Sequence, residues 1–399
     1  MTKRVFIIAA VSLYIISAYF SFYYFSTGSI SGLTQKINLP LVKYKPPVDS
    51  KGNVIIDTSA PKTEECPLSG EMLTKAHKAL WEKRRPLGVM IENSIDARPQ
   101  SGLTSADIIY EAVAEGGITR FLAVFYCKDS DGYVGPVRSA RVYFIDMLSE
   151  YGDFPLYAHV GGANCNRTTG SGCGNGAPAD ALGKIAKLKW VSYNDLNHIP
   201  YPVMWRDYDR LPNRATEHTV YSTTVKLWAY AGEKRKLSNV DDEGNEWNSQ
   251  FDGWKFKDDE SVNPSEAGKI DFIFWQGKSD YDVTWEYDSK GNSYKRLNGG
   301  TPHLNKNNDK QIEAKNVVIV FMAESTARDN YTEGSHLLYK TTGDGEAIIF
   351  QDGKAIKGRW RKKDVFTRIK FYDTRGSEVA LNRGQVFIEI LPKGNTVNY

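Results

Sequence analysis

Hydrophobic positions fall into three regimes along the chain. The first is an uninterrupted run: Val5 to Phe25 carries no charge over 21 residues. As a helix it would rise about 30 Å, the thickness of a bilayer core. Lys3 and Arg4 precede it, and the next charge is Lys36. That asymmetry predicts a single-pass anchor at residues 5–25 in the cytoplasmic membrane, with the N-terminus cytoplasmic and the remaining bulk extracytoplasmic. A cleaved signal peptide is the competing reading, with Ser26-Thr27-Gly28-Ser29 as the small residues after the run. No Cys follows the run, so no lipid-bearing Cys is expected there. Residues 26–62 hold Pro40, Pro46, Pro47 and Pro61 with little apolar period and read as an extended linker.

The second regime interleaves short apolar runs with three- and four-residue periods. Leu73, Ala76, Leu80 and Trp81 predict a helix over 71–83, which Arg85-Pro86 ends. Strands are expected at Leu87 to Ile91, Ile108 to Val113, Ile118 to Tyr126 and Pro155 to Val160. Gly116-Gly117 turns the second of these into the third. Helices are expected from Ser139 to Tyr151, Ala179 to Lys187 and Thr219 to Tyr230, with a Gly-rich loop from Gly161 to Gly176. The acidic stretch 232–268 reads as a connector.

In the third regime, from Lys269, the period shortens towards two. Strands are expected at Ile270 to Gln276, Val283 to Tyr287, Tyr294 to Arg296, Val317 to Met322, His336 to Lys340, Glu346 to Gln351, Ala355 to Arg361 and Val386 to Leu391. The predicted class is therefore α+β: a mixed layered α/β N-terminal domain (63–231), a connector (232–268) and a β-rich C-terminal domain (269–399). These follow one transmembrane helix (1–25) and a linker (26–62).

Composition narrows the function classes. The 399 residues are 41% hydrophobic and 25% charged, which excludes disorder throughout. Lys and Arg total 51 against 48 acids, so no global basic footprint for nucleic acid exists. Aromatics reach 12%, with 23 Tyr, in keeping with strands or a binding face. Of the four Cys, Cys165 and Cys173 close a short loop and are the expected disulfide, while Cys66 and Cys127 read as free thiols near cores.

The densest candidate chemistry is Gly135-Pro136-Val137-Arg138-Ser139-Ala140-Arg141. Two Arg, three apart at an expected helix start, combine bidentate donors with unpaired helix amides, a combination that suits an anion. Arg120 joins from a neighbouring strand. Internal pairing with Glu92, Glu111 or Glu115 is the structural counterpart of that reading. These carboxylates also read as acid–base candidates. His159, before Gly161-Gly162, is a further base or ligand candidate. His77, His198, His218, His303 and His336 show no metal-ligand spacing, so no metal and no cofactor are expected. Gly174-Asn175-Gly176-Ala177-Pro178-Ala179 matches G-x-G-x-x-A, but no strand leads into it.

Two stretches carry a family resemblance. The first runs through Arg85-Pro86-Leu87-Gly88-Val89-Met90-Ile91-Glu92-Asn93, Ala97-Arg98-Pro99-Gln100-Ser101-Gly102-Leu103, Ala106-Asp107-Ile108-Ile109-Tyr110-Glu111-Ala112 and Glu115-Gly116-Gly117-Ile118-Thr119-Arg120-Phe121 to Gly135–Arg141, after Cys66-Pro67-Leu68-Ser69-Gly70. The second includes Lys315-Asn316-Val317-Val318-Ile319, Gly358-Arg359-Trp360-Arg361-Lys362, Phe371-Tyr372-Asp373 and Leu381-Asn382-Arg383-Gly384-Gln385. Together they resemble the YerB-like family of bacterial envelope lipoproteins over roughly residues 64 to 395. The resemblance implies anchoring outside the cytoplasmic membrane and a layered α/β fold, and it assigns no catalytic residue. The chain departs from the lipoprotein pattern in having no Cys after its apolar run. The expected function is binding of an anionic envelope ligand or wall component through Arg138, Arg141 and Arg120, with Glu92, Asn93, Glu115 and His159 close by. The alternatives are an enzyme acting on cell-wall glycan or peptide, and a scaffold that meets an envelope protein through exposed aromatics such as Trp275, Trp285 and Trp360.

Overall fold

The computed structural model describes residues 12–19, 44, 46–50, 54–164, 178–261, 264–327, 329 and 336–399. Met1–Lys45 and Pro46–Tyr399 are separate compact units. In the first unit residues 12–19 are helical. The rest of the expected span, residues 5–11 and 20–25, lies outside the described residues. Among the described residues no helix is long and apolar enough to cross a membrane. The expected transmembrane helix, and with it the single-pass placement in the membrane, is corrected on this finding.

The second unit is built on one ten-stranded sheet. Its elements in chain order are β1 (Lys62–Glu65) and β2 (Met72–Thr74), which form a separate pair, then α1 (Lys75–Trp81), β3 (Leu87–Glu92), β4 (Ile108–Glu115), β5 (Ile118–Phe125), α2 (Val142–Leu148), β6 (Leu156–His159), α3 (Ala181–Lys187), β7 (Asp195–Asn197) and α4 (Thr224–Arg235). They continue with β8 (Lys269–Phe272), β9 (Val283–Asp288), β10 (Ser293–Asn298), β11 (Thr301–Pro302), β12 (Asn316–Met322), β13 (Gly343–Gln351), β14 (Lys354–Lys362), β15 (Lys370–Asp373), β16 (Val386–Pro392) and β17 (Val397–Asn398). The large sheet has the order β15-β14-β13-β12-β16-β4-β5-β3-β6-β7. A smaller sheet contains β11-β10-β9-β8-β17, with Glu313–Ala314 added beside β10.

Every residue of β3 and β12 is buried. That explains their unbroken apolar sequences, because a strand covered on both faces has no polar side. Gly88 in β3 shows how close the cover lies: a Cβ there would stand 2.7 Å from a Leu148 methyl of α2. The chain's two halves meet inside the large sheet, where β16 pairs in parallel with β4 and sets Glu389 opposite Glu111. Trp285 of β9 packs on Phe387 of β16, ring centres 5.0 Å apart, and seats the small sheet on the large one. In the acidic stretch between the halves, Trp247 and Trp254 are buried anchors.

Most expected elements form where the periodicity puts them. Met72–Thr74 instead extend as β2, and the following helix begins only at Lys75. The helix expected from Ser139 begins at Val142, after Arg141 as its cap. Cys66 and Cys127 are joined to each other in a disulfide, which corrects their reading as free thiols. Sequence could not pair them because they lie 61 residues apart and only the fold brings the first turn against the end of β5. Buried Asp107 lies against the bridge and accepts from the amides of Tyr126 and Cys127 at 2.7 and 3.0 Å. Cys165, Cys173 and most of the Gly-rich loop, with its G-x-G-x-x-A match, lie outside the described residues. Replacing Cys66 and Cys127 together with Ala should cost about 4 kcal/mol of unfolding free energy on chain-entropy grounds, read by urea denaturation against the oxidised wild type.

Candidate functional site

Strands β3, β6 and β7 run parallel and end together at Glu92, His159 and Asn197. Beside them β4 ends at Glu115 and antiparallel β5 begins at Ile118. In open α/β sheets the carboxyl ends of parallel strands are where loops present side chains to ligands. The segment bearing Arg138 crosses this edge in extended form. The Glu92 amide donates to Pro136 O at 3.0 Å, the Arg138 amide to Met90 O at 3.0 Å, and the Val160 amide to Arg138 O at 3.1 Å. Arg138 and Ser139 therefore precede the helix, and the short α2 contributes no anion-binding terminus. This corrects the helix-start argument for the two Arg, since β3 and β6 take up the backbone groups that a helix would have used.

The charged side chains form two linked sets. In the first, Glu92 Oε2 is ion-paired with Arg138 Nε, 3.0 Å away, and hydrogen-bonded to His218 Nδ1 at 2.7 Å. Burial opposes the Glu92 charge. The His218 hydrogen bond and the Arg138 and Arg120 charges outweigh it and hold the carboxyl below its usual range. The same hydrogen bond raises His218 above the ordinary histidine value. In the second set, Glu115 lies between Arg120 Nη2, at 3.1 Å, and the Arg141 guanidinium. Burial again opposes ionisation, but the two cations bring Glu115 down to about 2. Arg120 also donates to Ser139 O at 3.1 Å and Arg141 to Ala140 O at 2.8 Å, so both are committed to the fold. Arg138 differs, because about 25% of its side chain is exposed.

Three Arg face two Glu here, with His218 hydrogen-bonded to Glu92 beside them. The edge carries positive excess, concentrated where Arg138 and His218 meet Glu92. His218 was missed in the sequence because its partner lies 126 residues away and no motif surrounds it.

Other expected site residues turn inward. His159 is fully buried, with Nδ1 2.7 Å from Gly161 O and Nε2 2.7 Å from Asp195. Acceptors at both ring nitrogens make it a structural donor. Asn93 is also fully buried. It donates to Glu111 and Thr119 at 3.1 and 2.7 Å and accepts from Gln100, Arg98 and Asn298. Glu111 is ion-paired to Arg296 of β10, and Arg296 Nε stands 3.6 Å from Glu389. Burial and the neighbouring Glu111 charge push Glu389 well above the carboxylate range. Burial, Arg296 and Arg98 push His303 well below the histidine range. Its Nδ1 then accepts from Arg296 at 2.7 Å while Nε2–H donates to Gln100 at 2.8 Å. The Cys66, Asp107 and Cys127 trio has metal-ligand proximity, but the disulfide occupies both sulfurs.

Two outcomes follow from these pairings. Arg296→Met strands Glu111 in the interior and should cost about 3–5 kcal/mol, measured by denaturant unfolding. The Glu92–His218 pair has a pH window. Glu92 is depressed from 4.5, so its contribution is full above that value and is lost as pH falls through the folded-state pKa. His218 is raised from 6.5, so its contribution is full below that value and fades as pH rises through its folded-state pKa. The stability gap between wild type and Glu92→Gln should therefore be widest between 4.5 and 6.5 and narrow on either side, read from melting curves across pH.

Comparison with known proteins agrees with this fold. The N-terminal domain of a family described as "Protein of unknown function (DUF3048)" matches residues 68–238, and that family's C-terminal domain matches residues 270–388. The chain is 28% identical over 306 residues to "Putative lipoprotein YerB" of Bacillus subtilis (strain 168), covering 75% of this chain and 79% of that protein. The crystal structure of YerB from Bacillus subtilis superposes with a TM-score of 0.64 at 25% identity, covering 84% of this chain and 100% of that one. With both halves matched in sequence and the sheet matched in space, the chain belongs to the YerB-like family.

Proposed function

We propose that this protein is an extracytoplasmic cell-envelope protein that holds an anionic group of a wall component at the ends of β3, β4 and β6. One observation carries the reading: Arg138 shares the Glu92 carboxylate with His218 while about a quarter of its side chain stays open to solvent. An incoming anion meets one exposed cation backed by the surplus charge of the edge, and Arg offers it two parallel donors. Arg120, Arg141 and Glu115 set the field and the rigidity of the site. The name of the Bacillus relative, a lipoprotein, supports the envelope setting.

A second reading rests on the Glu92–His218 hydrogen bond. A carboxylate on Nδ1 orients the ring and leaves Nε2 as the basic position, which suits general acid–base work on a glycan or peptide. Glu111 and His159 have no path to solvent and do not serve that reading. Trp285 and Trp360 are buried and Trp275 is partly buried, so these three do not form the exposed aromatic face that the scaffold reading calls for.

The purified protein is incubated with isolated cell-wall sacculi, pelleted, and the supernatant analysed by mass spectrometry. The expected outcome is co-pelleting without new soluble fragments, with Arg138→Ala reducing the bound fraction about tenfold while the variant stays folded at the assay temperature. New fragments that disappear in Glu92→Gln would replace binding with catalysis. Absence of both pelleting and fragments removes the wall as the ligand.

A further inference from the structure

We propose that the outer face of β14 binds a linear phosphate polymer, at a surface separate from Arg138. Along this strand Gly358, Trp360 and Lys362 turn inward. The Trp360 indole donates to Phe321 O at 3.0 Å, and Lys362 Nζ to Glu150 at 2.7 Å. Lys357, Arg359 and Arg361 alternate outward, and exposed Lys363 continues the row. Alternate residues on a strand stand about 7 Å apart, so the four cations form a line about 20 Å long.

Two ordinary explanations for such a row do not apply. Cations commonly guard exposed sheet edges, but β14 is an interior strand paired on both sides by β13 and β15. Cross-strand pairing would neutralise the row if each cation took the acid opposite it. Arg361 stands opposite Asp344 and Arg359 opposite Glu346. Instead Arg359 reaches diagonally to Asp344 with Nε, at 3.1 Å, and Nη2. Among the described residues no carboxylate pairs with Arg361; its guanidinium lies on the Tyr372 ring, 4.7 Å from the centre. A guanidinium flat on an aromatic ring keeps its edge donors available for a bidentate oxyanion. Lys357 likewise lies near the Tyr399 ring, at 5.7 Å. Exposed Lys393 stands close enough to act on the Asp344 charge and lines a groove of about 320 Å³ with Arg359 and Glu346. Asp364, after the row, accepts from the Phe366 and Thr367 amides at 3.0 and 2.8 Å, which holds it in its own loop. Five cations on this face thus outnumber three acids, Asp344, Glu346 and Asp364.

A line of evenly spaced charges with no enclosing cavity fits a chain, not a single small anion. A polymer crossing it displaces several counterions at once, whereas one phosphate meets one or two cations. Mixed Arg and Lys donors suit phosphate, which both bind, one as a fork and one as a point charge.

The test uses the full chain and long-chain inorganic polyphosphate, with affinity followed as salt is varied. Expected are binding that orthophosphate at equal phosphate concentration does not displace, and a loss of about tenfold or more in Lys357→Gln/Arg361→Gln/Lys363→Gln. The log–log salt slope should fall by about 2 in that variant. Glu346→Gln removes an acid from the same face and should tighten binding, which keeps the proposal testable if the triple variant folds poorly. Wild-type affinity in a folded triple variant overturns it. So does loss of polyphosphate binding in Arg138→Ala, which would move the contact to the other site. Equal binding of polyglutamate, a polyanion without phosphate, would overturn the phosphate assignment.

Discussion

The parallel pairing of β16 with β4 places Glu389 beside Glu111, fully buried, and much of the architecture answers that placement. Two ionised carboxylates cannot share such a site, so one keeps its proton and the other needs a cation. Arg296 from β10 supplies it, which obliges the small sheet to sit over this point of the large one. Burying an ion pair gains little by itself, because desolvation offsets the Coulomb attraction. What it contributes is uniqueness: any other register of β16 or β10 leaves a charge in the interior without a partner.

The same network reaches the strand ends. Arg296 hydrogen-bonds neutral His303, His303 meets Gln100, and Gln100 joins Asn93. Asn93 directly follows Glu92, so the residue anchoring the interior and the residue facing Arg138 and His218 are neighbours at the end of β3. The geometry of the candidate site is thus inherited from the sheet-to-sheet junction, and the surface cations are held by elements with little freedom to shift. The β14 row is placed the same way. Trp360 and Lys362 lock its inner face, which fixes the outward direction of Lys357, Arg359 and Arg361.

Local pattern was a reliable guide wherever burial on both faces or strict alternation left one choice. Leu87–Glu92, Val283–Asp288 and Asn316–Met322 are strands for that reason. It failed where short polar stretches gain strand pairing only from distant chain. Asp195–Asn197 has no apolar period and is a strand because Tyr157–His159 runs beside it. Residues 136–140 share the problem: two Arg at helical spacing read as a helix start, while the ends of β3 and β6 were waiting for their backbone groups.

By itself the sequence determined the α+β alternation, the family, and the concentration of Arg and Glu between residues 85 and 141, because these depend on residue type and short spacing. Tertiary structure alone decided which charges cancel. Glu92 could have met Arg120, Arg138 or none; the fold gave it Arg138 and His218, the latter from 126 residues away. It also joined Cys66 to Cys127 and turned Asn93 and His159 into interior supports. Such pairings are contacts between distant segments, and their energies depend on burial, which no local window of sequence contains.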